Sequence, residues 1–250
     1  MSDTGELHNK RLCHEKAHGA LIRHRAEEIW GWSSPAGRRR AARRAELLAT
    51  WARLEAGQRV LELGCGTGLF SKKLQREGLY LTAIDISLDL LSDAVRENKT
   101  VGFIQADAHR LPFADNTFNA VVGSSVLHHL QVGLVLREIR RVVQPGGRIA
   151  FAEPNMMNPQ ILAQKNIPPL KRWLGDTPDE TAFFRWSLAK QLADAGYSEI
   201  QVFCHDFLHP AVPPQAIGVV ELLGRCFERA PLIREIAGSL LISAVVSKEP

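Results

Sequence analysis

The stretch VLELGCGTG, residues 60–68, joins a short apolar run to three glycines at alternate positions. The run has the pattern of a buried β-strand, and the glycines predict a loop whose backbone approaches a ligand closely. The spacing G-x-G-x-G differs from the G-x-G-x-x-G of a dinucleotide fingerprint, and no Gly-Lys-Ser/Thr follows as in a phosphate-binding loop. We therefore expect a strand, a ligand-binding loop and a helix in succession.

From residue 59 onwards, short apolar runs alternate with amphipathic stretches. This alternation predicts βα units, and hence an α/β fold with a mostly parallel sheet and helices on both faces. The predicted strands are 60–63, 81–86, 101–105, 119–123, 148–152, 200–203 and 240–246, and the main predicted helices are 70–77, 88–98, 135–143 and 187–195.

Outside these units the chain divides into three further regions. Residues 1–54 are charged and alanine-rich and predict an N-terminal helical cap, which leaves 55–250 as the main domain. Two long segments, at about 154–183 and 205–238, lack a strand pattern and are predicted to be irregular lid insertions that cover the site with apolar side chains.

Composition limits the class of protein. The 250 residues are 45% hydrophobic and carry a net charge of +4, which is ordinary for one globular domain with decorations. The four cysteines form no CxxC pair, so neither a zinc site nor a disulfide framework is indicated. No basic-then-apolar leader and no apolar run of the roughly 20 residues that cross a bilayer is present, so we expect a cytoplasmic protein without a transmembrane segment.

Polar residues follow the ends of the predicted strands, where ligands bind in an open parallel sheet. Glu62 precedes the glycines; an acid there disfavours a pyrophosphate but suits a ligand with an ammonium group and a sulfonium. Asp85 ends the second strand, where a carboxylate can accept both hydroxyls of an adenosine ribose. Asp107 and Ala108 follow the third strand and can meet an adenine edge, and Ser124 follows the fourth.

With these motifs in this order, the sequence resembles the class I S-adenosylmethionine-dependent methyltransferases of the small-molecule type, similar to those of ubiquinone and menaquinone biosynthesis. The resemblance is closest over residues 58–153. It implies a Rossmann-like, seven-stranded sheet whose last strand is antiparallel, with S-adenosyl-L-methionine as cofactor and S-adenosyl-L-homocysteine as product. The site residues that it implies are Glu62, Gly64, Cys65, Gly66, Thr67 and Gly68 for the methionine part, Asp85 for the ribose, Ile86, Asp107 and Ala108 for the adenine, and Ser124 with the Leu127-His128 stretch beneath the sulfonium.

Two residues are candidates for catalysis. His128 could take a proton from a substrate hydroxyl, although a histidine here could equally have a positional role. Glu153, just beyond the fifth strand, could be a general base, a substrate hydrogen-bond partner, or a structural acid that pairs with an arginine such as Arg185. Metal-dependent O-methyltransferases carry acidic ligands after the fourth strand, where this sequence has Gly123-Ser124-Ser125, so no metal requirement is predicted.

The predicted function is methyl transfer to a small, apolar metabolite. Three alternatives stay open: an RNA methyltransferase that uses the basic N-terminal helix, an NAD-dependent oxidoreductase, and a non-catalytic module that only binds the cofactor. A run of arginines at 38–40, 43 and 44 suits nucleic acid, but a single basic helix is more often a solvated face, so a nucleic-acid partner is the minority hypothesis. The methylated atom and the oligomeric state stay open.

Overall fold

The computed structural model describes residues 3–174 and 180–247, with side chains from residue 9 onwards. Its centre is a seven-stranded sheet in the order β3-β2-β1-β4-β5-β7-β6. The last strand, β7, runs antiparallel to both of its neighbours, and the other pairs are parallel. The Rossmann-like α/β class with its antiparallel last strand is thereby confirmed. The strands are β1 (Arg59–Leu63), β2 (Tyr80–Asp85), β3 (Gly102–Gln105), β4 (Phe118–Ser124), β5 (Val143–Pro154), β6 (Tyr197–His205) and β7 (Ser239–Val246).

Helices cover both faces of the sheet. In the described part of the chain they are α1 (Asp3–Ile22), α2 (Ala26–Ile29), α3 (Pro35–Trp51), α4 (Leu69–Leu74), α5 (Leu88–Glu97), α6 (Val132–Val142), α7 (Pro159–Asn166), α8 (Pro168–Trp173), α9 (Arg185–Asp194) and α10 (Ile217–Arg229). Each predicted strand and main helix overlaps an observed one. Within the described ranges, no helix has both the length and the apolar character needed to cross a membrane.

Strand β1 shows how the alternation of side chains divides the core. Leu61 and Leu63 pack into the cluster on one face of the sheet, and Val60 packs into the cluster on the other. Leu63 pairs with Ile84 of β2 and with Gly123 of β4. Because these strands are parallel, their carboxyl ends meet at one edge of the sheet, where the predicted site residues follow.

The two long segments differ from the prediction, because both contain helices. Segment 154–183 holds α7 and α8, and segment 205–238 holds α10; residues 175–179 of the first lie outside the described residues. Asn158 caps α7 by accepting bonds from the N–H groups of Gln160 and Ile161. Pro159 and Pro168 each occupy a first-turn position, where proline is compatible with a helix. Each of these two helices therefore begins at a proline.

Candidate active site

The glycine loop turns sharply at the end of β1. Gly64, Gly66 and Gly68 have φ values of +64°, +52° and +79°, in the left-handed region that side chains disfavour. A Cβ on Gly64 would clash with Val126, and one on Gly68 would meet Asn98 Nδ2 at 2.6 Å. The glycines are thus required both by the backbone conformation and by close packing of the loop.

Asp85 fixes this loop to the end of β2. Its Oδ2 accepts a hydrogen bond from Gly66 N–H and its Oδ1 one from Ser87 N–H, both at 2.8 Å. Burial raises the pKa of Asp85, and the two backbone donors oppose that rise. Ser87 caps α5 through Leu90 N–H, so Asp85 is not needed as the cap. Each carboxylate oxygen keeps a second lone-pair direction for a ligand hydroxyl.

A cavity of about 500 Å³ opens at this edge of the sheet. Its size is typical of a small-molecule site. The structure brings most of the predicted site residues together in its wall, namely Gly64, Cys65, Gly66, Thr67, Asp85, Ile86, Asp107, Ala108, Ser124 and His128. That these residues contact the cofactor stays a prediction.

Three predicted site residues lie elsewhere. Glu62 is 1% exposed and accepts a hydrogen bond from Ser71 of α4 at 2.5 Å, because it shares the strand face of Val60. Burial raises its pKa to about 7. Gly68 is the N-cap residue of α4, and its N–H donates to the carbonyl oxygen of Cys65 at 2.9 Å. Neither Glu62 nor Gly68 lines the cavity. Both make contacts that support the loop, and their contact with the cofactor stays a prediction.

Glu153 is also outside the cavity wall and is fully buried. Its Oε1 accepts bonds from the N–H groups of Val126 and Leu127 at 2.9 and 2.8 Å, and its Oε2 lies 2.6 Å from His128 Nδ1. Arg185, suggested as its partner, pairs instead with Glu235 at 2.7 Å. With both oxygens engaged by the loop after β4, Glu153 has no oxygen exposed to a substrate.

His128 lies between two carboxylates. Its Nδ1 contacts Glu153, and its Nε2 lies 3.4 Å from Glu180. Burial lowers the pKa of His128, but the hydrogen bonds to these two carboxylates outweigh burial and raise it to about 9. The ring is therefore a cation at neutral pH, whereas a general base must be neutral.

His128, His129 and Glu180 also bring three potential metal ligands within 4.8 Å of one another, a cluster that the sequence did not predict. Glu180 is 2.6 Å from Lys165 Nζ, and His129 Nδ1 is 3.1 Å from Glu15. Thus the Lys165 ammonium and the His128 imidazolium already face the Glu180 carboxylate.

The N-terminal helices contribute residues to the site, and sequence reasoning missed two of them, Glu27 and Arg44. Trp30 lies over the glycine loop, since a Cβ on Gly66 would be 3.1 Å from its ring. Thr67 Oγ1 donates to Glu27 of α2 at 3.1 Å. Arg44 of α3 lines the cavity and is 4% exposed. The sequence shows Arg44 as one of several arginines, and only the packing of α3 shows that it is the buried one.

Three other arginines of α3, namely Arg39, Arg40 and Arg43, pair with carboxylates of the segment after β6. Arg39 contacts Glu221 at 3.1 Å, and Arg43 contacts Glu228 at 2.6 Å. The segment 205–238 therefore packs along α3 instead of over the site; Gly238 is its contribution to the cavity wall. The prediction of a second lid over the site differs from the structure for this reason.

The comparisons with known proteins agree with this geometry. A methyltransferase-domain family matches residues 61–151. Demethylmenaquinone methyltransferase of Beutenbergia cavernae is 31% identical over 210 residues, which cover 82% of this chain and 79% of that protein. The enzyme of the same name from Paenarthrobacter aurescens is 32% identical over 166 residues, which cover 59% of this chain and 65% of that protein, so the chain spans just under two thirds of that relative.

Two solved structures have the same fold at low identity. Phosphoethanolamine N-methyltransferase 2 of Haemonchus contortus, in complex with S-adenosyl-L-methionine, has a TM-score of 0.61 at 16% identity and covers 89% of this chain and 56% of that one. The [4+2]-cyclase SpnF has a TM-score of 0.59 at 22% identity and covers 83% and 81%.

Fold, glycine loop and relatives together define the chain as a class I S-adenosylmethionine-dependent methyltransferase. Within that class it belongs with the methyltransferases of the ubiquinone and menaquinone type, and its cofactor is S-adenosyl-L-methionine. The NAD-dependent oxidoreductase that the glycines left open is thereby excluded.

Proposed function

We propose that this enzyme transfers the methyl group of S-adenosyl-L-methionine to a small, largely apolar metabolite without a metal ion. The cavity carries the proposal, because one continuous wall joins the glycine loop to a set of apolar side chains. These are Leu12, Ile29, Trp30, Val126, Leu130, Ile161 and Leu174. The acceptor in the names of the relatives, demethylmenaquinone, supports an acceptor of this kind.

The predicted residues have distinct proposed roles toward the cofactor. The loop 64–67 holds the methionine part, Asp85 accepts the ribose hydroxyls, and Ile86 packs on the adenine while Asp107 and Ala108 contact its edge. Ser124 lies toward the sulfonium. When bound, the cofactor would supply an electrophilic methyl group for an electron pair of the acceptor, and its sulfur would keep the electron pair of the carbon–sulfur bond. The protein has to orient the acceptor in line and exclude water.

His128 and Glu153 are proposed as positioning residues. Glu153 binds two consecutive backbone N–H groups after β4 and the ring of His128. His128 in turn connects Glu153 to Glu180 of the inserted segment. These contacts fix the position of loop 124–128 in the cavity wall.

Metal independence is supported by the charges around Glu180. Lys165 and the protonated His128 already compensate this carboxylate and lower its pKa, although burial opposes them. A divalent cation would have to displace both groups. Activity after treatment with a chelator is expected to equal that of the untreated enzyme; loss of activity that a divalent ion restores would contradict this.

Free thiols support the expected cytoplasmic location. All four cysteines are unpaired, and Cys13 and Cys226 are exposed. Exposed free thiols persist in a reducing compartment.

The acceptor class is tested with S-adenosylmethionine labelled in its methyl group. The panel holds a short-chain demethylmenaquinol, naphthols and total RNA, and label should enter only the organic extract of the first two. Asp85→Ala is the matched inactive control. Label in RNA would favour the RNA methyltransferase, and its basic helix would then need to act despite its paired arginines. Binding of S-adenosylhomocysteine without any transfer would favour the non-catalytic module.

A further inference from the structure

Arg44 is a buried cation in the cavity wall with unusual partners. Its Nη1 donates to Ser124 Oγ at 3.2 Å and to Ser125 Oγ at 3.0 Å, and its Nη2 donates to Ser239 Oγ at 2.7 Å. Its Nε–H is buried and has no hydrogen-bond partner among the described residues. A buried guanidinium normally faces carboxylates, but here neutral hydroxyls are its hydrogen-bond partners.

The three hydroxyls can together donate hydrogen bonds to a ligand oxygen in the cavity. A hydroxyl that accepts a bond from Arg44 keeps its own proton to donate. Within the described ranges, Ser124, Ser125 and Ser239 donate to no protein group, and all three line the cavity. Ser125 also has φ +57°, a conformation that non-glycine residues rarely adopt and that occurs preferentially at functional sites.

The surrounding charges leave a positive excess. Arg40 and Arg44 both lie over the Trp32 ring, at 5.2 and 5.0 Å, and share one carboxylate, Asp206, at 2.9 and 3.9 Å. Nearby Glu153 is engaged by His128 and the backbone. Burial lowers the pKa of Arg44 to about 10, so its side chain remains charged at neutral pH.

We infer that Arg44 and the hydroxyls of Ser124, Ser125 and Ser239 form an oxyanion site for the methyl acceptor, and we call this side of the cavity its acceptor part. The acceptor class is therefore an apolar molecule that carries a carboxylate, phenolate or enolate oxygen. This inference rests on the proposed function and narrows its acceptor. A phenol or enol would bind after losing its proton to water, so no general base is required, in agreement with the cationic state of His128.

The test uses two probes of the same shape and different charge, 2-naphthoate and 2-naphthamide. Each is titrated by calorimetry into the full-length protein saturated with S-adenosylhomocysteine. The naphthoate should bind the wild type at least tenfold more tightly than the amide. In Arg44→Gln this ratio should fall to about one, and Arg44→Lys should keep part of it.

Arg43→Gln is the matched control, because Arg43 is the adjacent residue of α3, also pairs with a carboxylate, and does not line the cavity. It should keep the wild-type ratio. If Arg44→Gln fails to fold, Ser239→Ala replaces it and should lower the ratio severalfold. A wild-type ratio of one or less, no naphthoate binding, or a ratio unchanged by these variants would overturn the inference. Failure of the wild type to bind S-adenosylhomocysteine in the first titration would instead contradict the proposed function.

Discussion

The proposed cofactor part and the proposed acceptor part of the cavity are built in different ways. The cofactor part consists of loops that directly follow β1, β2 and β3, and its shape is set by backbone groups such as Gly66 N–H on Asp85. The acceptor part is assembled from side chains far apart in sequence: Arg44 of α3, Ser239 of β7 and Lys165 of α7. The first part depends on local motifs, whereas the second depends on how distant elements pack.

This difference has a physical consequence for function. A site made by backbone at strand ends can change little without loss of the sheet, so it suits the ligand shared by the whole class. A site made by side chains of the cap and the inserted segment can change by single substitutions, so it suits the ligand that differs between enzymes. The same fold in a methyltransferase and in a [4+2]-cyclase is compatible with this division.

The largest expected effect tests the cofactor part. Asp85→Ala removes a carboxylate that anchors Gly66 and that we propose binds the ribose. Hydrogen bonds to charged groups are each worth about 1.5–3 kcal/mol, so the affinity for S-adenosylhomocysteine should fall at least about 100-fold in calorimetry. Asp115→Ala is the control, since its exposed pair with Arg141 contributes at most about 1 kcal/mol. Equal affinities of both variants would remove Asp85 from the cofactor part.

The next effect separates support of the loop from contact with the ligand. Folded Glu62 has a pKa of about 7, against 4.5 for an ordinary glutamate. As the pH rises from 4.5 to 7, the free energy of unfolding should therefore fall by up to about 3 kcal/mol. Glu62→Gln should abolish this fall in the free energy of unfolding, measured with urea at several pH values. It should change the affinity for S-adenosylhomocysteine less than threefold; a large loss would place Glu62 at the ligand after all.

A smaller effect tests the coupling of the cap to the glycine loop. Thr67→Val removes the hydrogen bond to Glu27 of α2. One such bond contributes about 1 kcal/mol, so the affinity for S-adenosylhomocysteine should fall two- to tenfold. Thr50→Val, which removes a bond within α3, should have no effect on affinity. Equal affinities of the two variants would contradict a coupling of the cap to the glycine loop.

The smallest effect concerns His128. If His128 were the general base, its pKa of about 9 would make kcat increase about tenfold for each unit by which the pH rises toward 9. We expect instead that the ratio of wild-type kcat to that of His128→Gln is constant within about twofold from pH 6.5 to 8.5. The folded pKa lies above the unfolded value of 6.5, so the stability that His128 contributes is complete below pH 6.5 and is lost as the pH rises through 9. A tenfold growth of the ratio would restore His128 as the base.

Sequence reasoning succeeded where a residue and its neighbour in the chain make the structure. Gly64 follows β1 and Asp85 ends β2, so the alternation of βα units places them at one edge of the sheet. It could not foresee that Glu62 faces Ser71, because the face of a strand end depends on register. For Glu153 the alternative of a structural acid agrees with the contacts, but its partners, 25 to 27 residues away, could not be named. Arg44 could be seen only as one of several arginines, since the pairing of Arg39 and Arg43 with the segment after β6 is a property of the folded chain.

The position of β7 determines when the molecule can be completed during synthesis. Every residue of β7 is buried, and the strand lies between β5 and β6, which both precede it in the chain. As the nascent chain leaves the ribosome, β6 has no partner strand until β7 emerges, while β1 to β5 can already pair. Ser239 is the first residue of β7, so Arg44 acquires its third hydroxyl only then. The acceptor part is thus the last to form, and a chaperone that holds the growing chain would meet an enzyme whose cofactor part is assembled and whose acceptor part is not.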